Sequence, residues 1–217
     1  FLYLVQLLPE KGENNLVGIS DRELARRLAA FLWSSIPDAQ LQRKAEEGNL
    51  KQPHILEAEV KRMLKDVRSN RFVRHFVEQW LDLDGLQSVS HITDQQLLRA
   101  MQEEPVAFFH EVLRNNSSIF DFIHSDYALV NEKLASHYKI RGVLGSHFQK
   151  VSIEPQLNRG GLLTGSAVLA MNSDGKDSKP LTRGVWMLES ILGDPPPPPP
   201  PNVPDVYLAD PEIQKMT

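Results

Sequence analysis

Seven histidines are the first residues in this 217-residue chain that could hold a metal: His54, His75, His91, His110, His124, His137 and His147. None stands four residues from another and H-E-x-x-H is absent, so no helical turn offers two imidazoles to one ion. Each reads as a surface or satisfied core histidine, and no metal site is expected. The chain has no cysteine. Disulfides, thiol catalysis, zinc–thiolate sites and covalent haem attachment are therefore excluded within these residues. Glu103-Glu104 and the Asp82/Asp84 pair read as solvated carboxylates on helices; a glycosidase pair would have to be assembled by tertiary structure. Ser166, in Thr164-Gly165-Ser166-Ala167, lacks the second glycine of a hydrolase elbow. Lys176-Asp177-Ser178-Lys179 lacks the glycine-rich lead of a phosphate loop. Arg159-Gly160-Gly161 and Thr182-Arg183-Gly184 each set a guanidinium beside glycine at the mouth of an expected helix. Such a mouth can hold an anion, although an arginine paired with a carboxylate or a helix end is the favoured reading. No catalytic constellation is complete.

The elements that must position these residues are mainly helical. Ser20-Asp21-Arg22-Glu23 is a capping box, followed by Leu24, Leu28, Phe31 and Leu32 at helical spacing and closed by Pro37. A short helix from Asp38 should stop at Gly48, and another begins near Pro53 with Leu56, Val60, Met63 and Leu64 on one face. Asn70 is the expected cap of a helix carrying Phe72, Val73, Phe76, Val77, Trp80 and Leu81. Thr93-Asp94-Gln95-Gln96 opens a helix through Leu97, Met101, Phe109 and Leu113, which Pro105 should kink or divide. Ser118 and Asn131 are further caps. Phe31, Trp33, Phe76, Trp80 and Phe109 are the expected aromatic core.

The texture changes after Tyr138. Glycines become frequent, 148–153 alternates like a strand, and 161–171 and 182–191 read as helices, the second capped by Thr182 and ended by Gly193. Pro195–Pro201 is an unbroken proline run, a polyproline II rod of roughly 22 Å at about 3.1 Å per residue. It is expected to lie as an ordered strip against its own domain. The fold class expected is therefore mainly α: a helical bundle over 1–126, then a smaller Gly/Pro-rich, mostly helical domain over 127–217 ending in polyproline II.

Composition narrows the function classes. A net charge of −4 and a pI near 6.0 argue against nucleic-acid binding. No run of eighteen apolar residues is present, so no transmembrane helix is expected. Phe1–Val5 reads as the end of a helix whose start is missing. Charge is segregated: 41–74 carries nine basic against five acidic residues and 78–126 two against nine. Two oppositely charged solvated faces are the favoured explanation, a docking surface the other.

Three stretches carry a resemblance: Leu24–Asp38 (LARRLAAFLWSSIPD), Val130–Gly142 (VNEKLASHYKIRG) and Arg159–Pro204, with GGLLT, LTRGVWMLESILG and PPPPPPPNVP. Together they resemble the large, secreted, cytochrome-c-linked proteins of planctomycetes and related bacteria, whose consecutive domains are of unknown function. The helical F-L-W-S-S-x-P-D domain is followed there by the R-G-x-W-x-L-E/polyproline domain. The resemblance implies a secreted or periplasmic parent in which a C-x-x-C-H haem site follows the proline run; that motif is absent here. No cofactor is expected on this segment alone, whereas haem c is implied in the parent. Arg159, Arg183 and Trp186 become haem-pocket candidates, and the implied partner is a haem-bearing domain of the parent or another cytochrome. The favoured function is a non-catalytic structural or docking segment. The alternatives are part of a peroxidase-like haem oxidoreductase and a polysaccharide-degrading or polysaccharide-binding protein.

Overall fold

The computed structural model describes residues 18–154 and 159–197. Eight α-helices and one two-stranded sheet occur among them, so the protein is mainly α. The helices are α1 (Asp21–Trp33), α2 (Ala39–Glu46), α3 (Pro53–Lys65), α4 (Ser69–Trp80), α5 (Gln95–Asn115), α6 (Glu132–Tyr138), α7 (Ser166–Met171) and α8 (Pro180–Trp186). Strands β1 (Tyr127–Val130) and β2 (Gln149–Ser152) pair antiparallel, with Tyr127 opposite Ser152 and Val130 opposite Gln149. The strand expected near 148–153 is thus present. Its partner β1, buried along its whole length, had no alternation to betray it. No helix among the described residues is long and apolar enough to cross a membrane.

The chain falls into two compact units, one ending at Lys179 and the other starting at Pro180. Both the expected domain boundary at 126/127 and the change of texture after Tyr138 lie inside the first unit, where α5 packs on α4, α6, α7 and β1. α5 is the axis of that unit. It runs as one helix through Pro105, so the proline does not divide it in two. A proline in a helix interior costs about 3 kcal/mol. Burial of Met101, Glu104, Pro105, Val106, Phe108 and Val112 holds both halves in place against that cost.

Several helix starts follow their caps. Ser20 Oγ accepts from the Glu23 N–H at 3.2 Å, Asp38 Oδ1 from Leu41 at 2.9 Å and Asn131 Oδ1 from Leu134 at 3.0 Å. Three starts differ. Asp94 rather than Thr93 caps α5, through Gln96 and Leu97. α4 begins at Ser69, so Asn70 lies inside it, and α8 begins at Pro180, so Thr182 does too. A proline in the first turn loses no helical bond, which explains the earlier start. The helix expected over 161–171 is only α7, because Gly161 sits at φ +74° and delays it.

The aromatic core also needs correction. Trp33 is fully buried, but Phe31 is 63% exposed and Phe76 40% exposed. α1 buries Ala25, Ala29, Leu32 and Trp33, a face one residue away from Leu24, Leu28 and Phe31. Small alanines let α2 approach closely and so win that face. On α4, Val73 and Val77 take the buried positions. Phe31, Phe72, Phe76, Phe109 and Phe122 instead form a half-covered ladder with successive centroids 4.9–5.7 Å apart.

In the second unit, α8 passes into a π-helical turn, Met187–Leu192, closed by Gly193 at φ +64° as expected. Pro195–Pro197, the described start of the proline run expected to lie against its own domain, are exposed; Pro198–Pro201 lie outside the described residues, as does Phe1–Val5.

Candidate functional site

The F-L-W-S-S-x-P-D stretch resolves into packing and electrostatics. Trp33 Nε1 donates to the Met63 carbonyl at 2.9 Å, and the Arg68 guanidinium lies 3.5 Å from the ring centroid. Ser34 takes the left-handed position that ends α1. Asp38 caps α2 and receives both terminal nitrogens of Arg62, at 2.8 and 3.1 Å. Burial works to raise the Asp38 pKa, but the bonds from Arg62 and the Leu41 N–H outweigh it and hold the carboxyl below its usual value. These contacts tie α1, α2 and α3 together.

The buried polar cluster of the first unit is elsewhere, and it includes Arg159. Glu104, on α5, is buried, and its two oxygens share the Tyr138 hydroxyl proton at 2.8 and 2.7 Å. Glu104 Oε2 also accepts from the Ser166 N–H at 3.0 Å and the Ser166 hydroxyl at 2.8 Å. The same Ser166 N–H reaches the Tyr138 oxygen at 2.7 Å. Arg159 lies with its guanidinium carbon 4.0 Å from the Tyr138 ring centroid and donates to the Thr164 carbonyl at 3.1 Å.

Burial pushes the Glu104 carboxyl pKa up, opposed by the bonds from Tyr138 and Ser166 and by the charge of Arg159. Tyr138 is raised as well, first by burial and then by the neighbouring carboxylate. His137 is lowered by burial and by Arg159. A cavity of about 20 Å³ adjoins the cluster, lined by Glu104, Tyr138, Arg159 and Gly160 among others. That is room for about one water, and it does not fit a macrocycle or a sugar.

The anion reading of Arg159-Gly160-Gly161 fails on its hydrogen bonds. The Gly160 N–H donates to Thr164 Oγ1 at 2.9 Å and the Gly161 N–H to Ser125 Oγ at 3.0 Å. The glycines are there for close approach. A Cβ on Gly160, at φ +132°, would sit 1.9 Å from the Ser125 carbonyl oxygen. Arg183 and Trp186 lie three residues apart on α8, both half-buried, in the second unit. Arg159 belongs to the first.

Glu104 departs from the solvated carboxylate that its place in a Glu-Glu pair predicts. Glu103 is half-exposed and pairs with Arg74 through both oxygens, as expected of a surface carboxylate. Its neighbour instead falls on the stripe of Met101, Pro105, Phe108 and Val112, all buried. That spacing was the available signal. Among the described residues, no three metal-ligating side chains converge.

Residues 19–140, more than half of the chain, match the family PSD4, described as a protein of unknown function (DUF1592). The chain belongs to the DUF1592 family. Residues 159–217 match a second family, PSCyt3, also described as a protein of unknown function (DUF1588). No curated protein and no solved structure matches. The buried cluster straddles the two matches: Glu104 and Tyr138 lie in the DUF1592 segment, Arg159 and Ser166 in the DUF1588 segment.

Proposed function

We propose that this chain is a non-catalytic structural and docking segment of a larger, secreted, c-type cytochrome-associated protein. The observation that carries this reading is the Glu104–Tyr138–Ser166 cluster, the chemically richest place in the first unit, which spends its groups on one another. A buried carboxylate with Tyr and Ser donors but no room for a substrate joins helices rather than turning over a ligand. The name PSCyt3 of the second family supports the cytochrome association.

A chain without cysteine attaches no haem covalently, and the cavity beside Arg159 is too small to enclose one. The haem-contact role is therefore narrowed to Arg183 and Trp186. One turn of α8 carries both, a guanidinium for a propionate and an indole for the edge of a macrocycle held by a partner domain. Titration of the chain with the haem-bearing domain of its parent tests this. We expect a one-to-one complex that the double variant Arg183→Ala/Trp186→Ala weakens at least about tenfold. Failure to associate, or redox turnover by the chain alone, would overturn the reading.

A further inference from the structure

We propose that the cleft between the first half of α5, the start of α6 and the loop before β2 binds a neutral oligosaccharide. The cleft holds about 720 Å³, within the range of ligand sites. Gln96, Arg99 and Glu103 line it from α5, Lys133 and Ser136 from α6, and Ser146 and Phe148 from the loop. Unlike the Glu104 cluster, much of this lining is uncommitted. Among the described residues, the side chains of Gln96, Arg99, Ser136 and Ser146 have no polar partner.

The chemistry of the lining selects the ligand class. Two cations, Arg99 and Lys133, face two carboxylates, Glu103 and Glu132, so the cleft as a whole attracts neither a polyanion nor a polycation. Lys133 is paired with Asp94 at 2.6 Å, Glu103 with Arg74 at 2.7 Å, and Glu132 accepts the Gly145 N–H at 2.8 Å. Those pairs hold the rim in shape while leaving carboxylate lone pairs to spare. What remains is a mixture of donors and acceptors around the half-buried Phe148. A ligand that complements it offers many hydroxyls, each both donor and acceptor, and a C–H face for the ring. A pyranose does so without net charge. Gly145, at φ +88°, turns the loop that brings Ser146 and Phe148 to this side of α6.

This inference is independent of the docking proposal. It is tested by calorimetric titration of the full chain with β-1,4-linked gluco-, xylo- and manno-tetrasaccharides, and with an oligogalacturonate as the acidic comparison. We expect at least one neutral tetrasaccharide to bind, with Kd on the order of 0.1–1 mM. Arg99→Ala should weaken it about tenfold or more, as loss of a charged donor does. Ser136→Trp, at an exposed position, should abolish binding by filling the cleft while leaving the melting temperature unchanged. Absence of binding to all three neutral ligands, binding to the oligogalacturonate alone, or binding indifferent to both substitutions would each overturn the proposal.

Discussion

Glu104 sets a pH dependence whose sign is the reverse of that of the paired carboxylate Asp38. Its folded pKa is raised above the ordinary value of 4.5, chiefly by burial. The stability it contributes is therefore fully present below pH 4.5 and is lost as pH rises through the folded pKa. Asp38, held low by Arg62 and the Leu41 N–H, acts in the opposite sense, contributing stability above its ordinary range that is lost on acidification. Denaturant unfolding of the wild type and Glu104→Gln across pH 4–8 separates the two. The stability of the wild type relative to Glu104→Gln should decline with rising pH and then level off; a difference that grows with pH would show that the burial argument is wrong. Gly160 gives a second test at this scale. Gly160→Ala must accommodate a Cβ against the Ser125 carbonyl at a φ that L residues avoid. A loss of about 3 kcal/mol or more is expected in chemical denaturation, whereas Gly184→Ala, inside α8 where a Cβ meets nothing within 4 Å, should cost nothing and stabilise its helix by about 0.5–1 kcal/mol.

Among the elements, α6 has only seven residues and depends on its ends. Asn131 caps it, and Tyr138, its last residue, carries the bond to Glu104. Asn131→Ala should cost about 1 kcal/mol by denaturation. Combined with Tyr138→Phe it should cost less than the sum of the two, because both act through the placement of one short helix. Strict additivity would show that the cap and the cluster are independent. Most of the helices were legible from caps and apolar spacing, as Ser20, Asp38 and Asn131 illustrate. Two kinds of feature were not. Where a helix offers two apolar stripes, as α1 does with Ala25/Ala29/Leu32 and Leu24/Leu28/Phe31, periodicity alone does not say which one a neighbour will cover. The alanine stripe won because small side chains allow a close helix pair. The second kind is a polar residue on an apolar stripe. Glu104 looks like the exposed half of a Glu-Glu pair until its partners, 34 and 62 residues later, are known. No local pattern contains that information.

For the whole molecule, the consequence is that sequence families and folding units do not share a border. The DUF1592 match ends at residue 140 and the DUF1588 match begins at 159, yet the first compact unit continues to Lys179. Residues 159–171 bring Arg159 over Tyr138, Gly161 against the 122–123 backbone and α7 onto α5. They fill part of the core of the preceding family's segment, and Ser166 satisfies its buried carboxylate. Without them Glu104 and Tyr138 face solvent or one another with fewer donors, and the α7 side of α5 is uncovered, a loss well beyond what a marginally stable fold tolerates. Thermal unfolding of residues 18–154 beside residues 18–179, followed by far- and near-ultraviolet circular dichroism, tests this most directly. The longer piece should melt in one cooperative transition, while the shorter should retain helix but lose its near-ultraviolet signal and its cooperative transition. Equal, cooperative melting of the two would contradict the claim that the segments of the two families fold as one.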